Sequence, residues 1–173
     1  MQEPQEWREI VGFNGYSVSD VGAIRNDDTD RIMRTATNQR GIPYVGLMHR
    51  GVQYKKSVAV LVANAFVTTA RSLEFNTPIN LDGDRSNNVA TNLIWRPRYF
   101  ARQFFQQFGQ TALWHIDNPL MDLKTEEVLK NSTEAVKRFG LLHKDIYLSI
   151  VSKTYVWPTY QVFEVLSGDA DEF

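Results

Sequence analysis

Residues 77–95, TPINLDGDRSNNVATNLIW, constrain the fold of this chain more than any other stretch. Asp82-Gly83 reads as a two-residue hairpin turn, because glycine accepts positive φ without steric cost and aspartate tolerates it. Apolar residues stand on both sides, and Asn87, Asn88 and Asn92 follow before Leu93 and Trp95. Asparagine carboxamides bond nearby backbone groups, so their clustering predicts a loop held in shape by its own side chains.

The order of these residues is more particular than a tied loop requires. A DG turn, then D-R-S-N-N, three residues, then N-L-x-W, resembles the ββα motif of the HNH endonucleases. The phage-type homing endonucleases come nearest, with a pattern of roughly D/N-H-x-D-G-x-x-x-N-N-x-x-x-N-L-x-W. On that resemblance the catalytic positions carry the wrong residues. The family's general-base histidine falls on Asn80, and a neutral carboxamide cannot take a proton near pH 7. Its metal-binding neighbour falls on Ile79 and the last metal ligand near Ala101, and neither side chain has a donor atom. Asn92 is retained, and its role in the family is mainly to pin the loop. The resemblance therefore implies a scaffold without its chemistry: no nuclease activity, no metal and no cofactor.

The front of the chain carries a second pattern. Asn14-Gly15 signals a hairpin, and Tyr16, Val18, Val21 and Ile24 supply apolar positions around a turn at Asp20-Val21-Gly22, which predicts a small sheet packed on Trp7. The same residues, W-R-x-I-x-G-x-x-G-Y-x-V-S-x-x-G-x-I-R, are similar to the NUMOD4 module found at the front of these homing endonucleases. Strands should continue through Ile42–Met48 and Gln53–Lys56, joined by a turn at Arg50-Gly51-Val52. In the family this sheet lies against DNA. Its matching basic residues here are Arg25, Arg31, Arg34, Arg40, Arg50, Lys55 and Lys56, set against Asp27, Asp28 and Asp30 with Asp20 just ahead. Taken singly, each is a solvated surface charge.

Residues 57–66 read as a short buried helix, similar to the family's V-H-R-L-V-A-x-A-F with Ala59-Val60 in place of His-Arg. After Trp95, Pro97 suits a first helical position and Gly109 a helix end. Between them Phe100, Phe104 and Phe108 recur at i, i+4 and i+8. Such a stripe packs into a core or forms a surface for a protein partner. Arg96, Arg98 and Arg102 on the same segment could follow phosphates.

The last third predicts a hairpin over 120–129 around Lys124-Thr125, then a helix through Phe139 capped by Asn131 with Glu134. Gly140 ends that helix, and His143–Lys153 forms another, with Ile146, Ile150 and Val151 on one face. Tyr155–Leu166 reads as a strand. The segment resembles the NUMOD1 module that closes many homing endonucleases, which implies that the second helix presents His143, Lys144, Tyr147 and Ser149 to DNA.

Composition bounds the rest. Hydrophobic residues at 43% of 173 indicate a folded chain, and the absence of cysteine excludes disulfides and thiolate zinc sites. The N-terminus has no apolar run behind a basic start, and the longest apolar run, Val58–Val67, is broken by Asn64 and too short for a bilayer. A soluble, cytoplasmic protein is the expectation, in the host cell if its source is a phage. Net charge is −1, but residues 1–110 hold 13 Lys and Arg against 10 Asp and Glu, and residues 111–173 hold 6 against 10. The acidic tail Gly168–Phe173 is predicted to be solvated. His49, His115 and His143 are scattered and read as surface or packing residues; Asp82 and Asp84 could hold Mg²⁺, but turn geometry accounts for them.

These readings predict an α+β chain: a β module over 1–56, an HNH-like ββα core over 57–112 and a helix-turn-helix module over 113–173. The leading function is a catalytically inactive homing-endonuclease relative that binds double-stranded DNA. The alternative is an adaptor that grips a host or phage protein complex, such as a polymerase or nuclease component. An active nicking enzyme with relocated residues comes last.

Overall fold

Tight turns set the front of the molecule. In the computed structural model, which describes residues 5–69, 71–109 and 113–167, Gly15 and Gly22 both sit at positive φ, +82° and +88°. They close the connections between β1 (Trp7–Glu9), β2 (Tyr16–Ser19) and β3 (Ile24–Asn26), and β4 (Arg31–Ile32) completes an antiparallel sheet in sequence order. Gly22 has a second duty. A Cβ there would meet the Cβ and carbonyl oxygen of Asn88 at 3.3 Å, so glycine lets the front module approach the asparagine loop closely at this point. The Asp20 carbonyl also accepts from Ala90 N–H at 2.7 Å.

A second antiparallel sheet holds β5 (Ala36–Thr37), β6 (Pro43–His49) and β7 (Val52–Ser57). Arg50 and Gly51 join β6 to β7 with φ of +50° and +77°, the two positive values that match strand twist in a two-residue hairpin. Helix α1 (Val58–Phe66) follows directly and buries Val58, Ala59, Leu61, Val62 and Ala63. Ala59 therefore occupies a core position, while Val60 beside it is only partly buried.

The DG turn departs from expectation. Strand β8 (Thr77–Asn80) pairs with β9 (Leu93–Arg96) from Thr77↔Arg96 to Asn80↔Leu93, so the hairpin loop is residues 81–92. Asp82-Gly83 is only its opening bend, closed by Gly83 N–H donating to the Asn80 carbonyl at 2.9 Å. Leu81 N–H donates to the Asn92 carbonyl at 2.8 Å at the base of this loop, and side chains hold the rest of it.

One core joins Ile10, Tyr16, Val18, Ile24, Val45 and Leu47 of the front strands to α1, Leu93 and Trp95. The line drawn at residue 56 thus runs through continuous packing. The chain divides into two units, Met1–Ala101 and Arg102–Phe173, and helix α2 (Arg98–Gln107) carries it from one to the other. Pro97 stands just before that helix and accepts from Ala101 N–H at 2.9 Å.

In the second unit β10 (Leu120–Asp122) lies between β11 (Glu127–Leu129) and β12 (Phe163–Val165), antiparallel to both. Helix α3 (Ser132–Phe139) starts at Asn131, whose Oδ1 accepts from Glu134 N–H at 3.1 Å, while Glu134 Oε2 returns to Lys130 N–H at 2.6 Å. Gly140 closes it in the left-handed conformation, φ +63°. Helix α4 (His143–Ser152) follows after two leucines. The strand expected over 155–166 is confined to β12. Val156 and Gln161 bridge across a turn containing Pro158, which has no N–H to contribute to a ladder. Val151, expected on the packed face of α4, is exposed instead. Among the described residues no helix is long and apolar enough to cross a membrane. The 168–173 tail lies outside the described residues.

Candidate functional site

Asn80 ends β8 with its side chain buried, and its register against Leu93 turns the carboxamide under the 81–92 loop. Asn80 Nδ2 donates to the Asn87 carbonyl at 2.7 Å and to Asn88 Oδ1 at 3.1 Å. Asn92 reaches the same Asn87 carbonyl. Its Nδ2 donates to Asp82 Oδ1 and to the Asn87 carbonyl, both at 2.9 Å, and its Oδ1 accepts from Asp82 N–H at 3.1 Å. Asn92 therefore pins the loop, as the resemblance implies.

Asp82 is fully engaged in the same network. Asn87 Nδ2 reaches its Oδ2 at 2.6 Å, and Asp84 N–H reaches its Oδ1 at 2.9 Å. Burial by itself raises the Asp82 pKa, but the bonds from Asn92, Asn87 and the backbone outweigh it and hold the carboxyl below its ordinary value. Asp84 Oδ1 is taken by the backbone N–H and hydroxyl of Ser86 at 2.8 and 2.7 Å. Both carboxylates thus serve the turn. Ile79 is wholly buried and Ala101 nearly so. A divalent metal at this centre does not fit the residues present, because two of the three implied positions are buried hydrocarbon and the third donates its amide hydrogens to the loop. Among the described residues no three His, Cys, Asp or Glu side chains come together as a metal site.

The basic candidates separate by environment. In the β5–β6–β7 sheet, Val45 and Leu47 face the core, so Tyr44, Gly46 and Met48 face away with their partners Ser57, Lys55 and Gln53. Lys55 lies over the Tyr44 ring at 5.3 Å. A Cβ on Gly46 would stand 2.5 Å from Gln53 Nε2, so glycine lets Gln53 lie flat across this outer face. Lys56 belongs to the opposite face, over Phe13 and Tyr54 at 5.2 and 5.9 Å. Arg34, Arg40 and Arg50 are exposed in the connections around the sheet. Arg25 is already committed: it pairs with Asp27 at 3.0 Å and Asp30 at 3.8 Å and stacks over Trp7 at 4.6 Å. One cation was missed in the sequence. Arg85, in the asparagine loop, has its pKa lowered by burial and by the positive charge of Arg40. Only the D-R-S spacing hinted at it, because the approach of Arg40 is tertiary.

On α2, Arg98 and Arg102 are exposed one turn apart. Arg96 is not: it is buried, donates to the Trp95 carbonyl at 3.0 Å and has its pKa pushed down to about 10 by desolvation. The phenylalanine stripe is also corrected. Phe100 and Phe104 are buried and cannot form a partner surface, which leaves Phe108, 38% exposed, against Phe104 at 5.2 Å.

Helix α4 needs the same correction. His143 is buried, its Nδ1 2.9 Å from Ser132 Oγ, and Ser149 is buried with its hydroxyl donating to the Ile146 carbonyl at 2.8 Å. Neither faces solvent. Burial, with His115 nearby, pushes the His143 pKa down to about 4. His115 and His143 are not scattered: they meet around Ser132, and His115 Nε2 lies 2.8 Å from Asp117. Gln107 braces the turn between α3 and α4, accepting from His143 N–H at 3.0 Å and donating to the Leu141 carbonyl at 3.1 Å. Lys144 and Tyr147 remain exposed.

Comparison with known proteins agrees with this architecture. Residues 5–48 match the NUMOD4 motif. Two uncharacterised HNH endonucleases of Acanthamoeba polyphaga mimivirus are similar to the chain, one 28% identical over 90 residues and one 33% identical over 92. The matches cover 52% and 51% of this chain but 26% and 23% of those proteins, so the chain spans about a quarter of the curated relatives' length. A solved structure of the HNH homing endonuclease I-HmuI, described as binding and cleaving DNA, shares the fold with a TM-score of 0.51 and 19% identity. It is matched over 94% of this chain and 99% of that one.

Proposed function

We propose that this relative of the HNH homing endonucleases keeps the nuclease scaffold for binding double-stranded DNA and has lost the cleavage chemistry. The observation that carries the reading is Asn80. Its buried carboxamide donates to Asn87 and Asn88 at the position where the related pattern places a general base. A base needs a lone pair that takes a proton near neutrality, and an amide nitrogen engaged as a donor has none to offer. Buried Ile79 and Ala101 support the same conclusion for the metal.

Binding is supported by the exposed cations around the β5–β6–β7 sheet. Arg34, Arg40 and Arg50 with Lys55 suit phosphate contacts, which position a protein on a duplex, while Gln53 and Tyr44 offer groups for base edges. Arg98 and Arg102 add a second basic row in the same chain segment that follows the motif. In the second unit, the order α3, left-handed glycine, α4 suits a helix-turn-helix whose second helix enters the major groove. The adaptor alternative loses its main support, since two of its three phenylalanines are core residues.

The test pairs cleavage with binding. Supercoiled plasmid should stay intact in excess Mg²⁺ or Mn²⁺, while a labelled duplex is bound with an affinity that falls as salt rises. Metal-dependent nicking that a variant of this chain abolishes would overturn the reading, as would absence of DNA binding at low salt.

A further inference from the structure

Helix α3 turns a charged face outward. Counting from Lys130, just ahead of its cap, Glu134, Lys137 and Arg138 follow at i+4, i+7 and i+8, and all four are exposed. With Asn131, Thr133 and His115 they line a cleft of about 620 Å³. Its neutral groups and its acid are already engaged. Asn131 holds the Glu134 N–H, and Glu134 Oε2 is turned back onto the Lys130 N–H at 2.6 Å. His115 lies between Asp117 at 2.8 Å and the hydroxyls of Ser132 and Thr133 at 3.2 Å. The cations are less committed. Glu134 stands three and four residues before Lys137 and Arg138, the spacing at which helix ion pairs form, yet among the described residues neither pair is made. Arg138 gives its Nε to Glu127 at 3.1 Å, and the ammonium groups of Lys130 and Lys137 have no carboxylate partner among the described residues.

We propose that this cleft binds a phosphoryl group, with Lys130, Lys137 and the outer edge of the Arg138 guanidinium as its cationic contacts. A phosphate ester in solution and the backbone of a duplex present the same chemistry. The inference therefore stands apart from the DNA-binding reading, and the experiment separates the two sources.

Charge and size select the ligand. Three cations against one carboxylate leave an excess of two positive charges when His115 is neutral. A cationic ligand would meet net repulsion there. No hydrophobic residue lines the cleft, so an apolar ligand would strip water from charged groups and gain little. A carboxylate brings a single charge, whereas a phosphate monoester carries about two at neutral pH, with three strong acceptor oxygens. Arginine meets such oxygens with a planar fork, and lysine with a mobile point charge. Because Glu127 holds only its Nε, the Arg138 guanidinium is oriented and still has its two amino groups to offer. The cleft volume falls in the range of small-molecule sites, roughly 300–1,000 Å³, which leaves room for the rest of an ester beyond the phosphoryl group.

The test is a titration of the full chain at fixed ionic strength, read by amide NMR. The probes are pyrophosphate, deoxyadenosine monophosphate and a short DNA duplex. The amides of Lys130, Thr133, Lys137 and Arg138 should shift together and saturate with at least one of them. Lys137→Gln should weaken that binding about tenfold, and Lys137→Arg should retain it. Lys124→Gln, between β10 and β11 and outside the cleft, should leave it unchanged. Saturation by pyrophosphate or the nucleotide supports the site as one for a free phosphoryl ligand. Saturation by the duplex alone, lost in Lys137→Gln, supports it as a contact to the DNA backbone. Shifts spread over the lysines of the chain without saturation overturn the inference, as do equal losses in the Lys124 and Lys137 variants or silent cleft amides with all three probes. A duplex that fails to bind while pyrophosphate saturates the cleft would sink the DNA-binding reading and leave this one standing.

Discussion

Asn80 donates to Asn88 Oδ1 at 3.1 Å within a buried layer, and the same loop presses on Gly22 of the front sheet. The amide is thus a structural tie between β8 and the loop it supports. Asn80→Ala would remove the donor to the Asn88 oxygen and leave the Asn87 carbonyl with the bond from Asn92 alone. It should cost about 1–3 kcal/mol, read as a lower denaturant midpoint with unchanged slope.

Rebuilding the implied centre should damage the fold before it restores chemistry. Ile79→Asp places a carboxyl where a wholly buried isoleucine now packs, so it should lower stability by several kcal/mol, of the order expected for an unpaired buried polar group. The combination Ile79→Asp, Asn80→His and Ala101→Asn should melt well below the parent in a thermal scan. A stable triple variant that binds Mn²⁺ would show instead that the scaffold still tolerates the metal.

The phenylalanines of α2 should behave unequally. Phe104→Ala removes a buried ring and should cost about 3–5 kcal/mol. Phe108→Ala, at a half-exposed position, should cost clearly less by the same unfolding measurement.

Acid should weaken the second unit before it reaches the carboxylates. His143 is neutral in the folded state down to about pH 4, whereas an unfolded histidine protonates below about 6.5. The unfolded chain therefore binds the extra proton in that window. Stability should be complete above about pH 6.5 and fall by up to about 3 kcal/mol toward pH 4. Asp82 adds a later loss: its depressed pKa stabilises the fold above the ordinary aspartate range and ceases to do so as pH falls through the folded value. His143→Gln should flatten the upper window and leave the lower one, as urea titrations at stepped pH would read.

Salt should sort the arginines. If about five phosphates are neutralised, log affinity should fall against log salt with a slope of roughly −4 to −5. Arg40→Ala and Lys55→Ala should each reduce the slope by about one. Arg25→Ala should leave it unchanged, because that guanidinium is held by Asp27, Asp30 and Trp7. A slope that falls equally for all three variants would contradict the commitment of Arg25 to Asp27, Asp30 and Trp7.

Local rules legible in the sequence account for a large part of this molecule. Asn131 and Glu134 cap α3 and Gly140 ends it, because those interactions span only a few residues and need no distant partner. The alternation of Ile42–Met48 and the apolar run of α1 likewise carry their own burial pattern. The resemblance to the homing-endonuclease pattern is what singled out positions 79, 80 and 101 and Asn92. What the tertiary structure decided is which charged and aromatic side chains meet water. Arg96, His143 and Ser149 are polar types that the chain turns inward, each satisfied by a particular partner, Arg25 is held at the surface by Asp27, and Phe100 and Phe104 left the surface by packing. The DG bend opens a long loop instead of closing a hairpin because Asn87 and Asn92 reach across it to Asp82. Burial and hydrogen bonding are collective, so a residue's type limits its environment but its neighbours in space choose it.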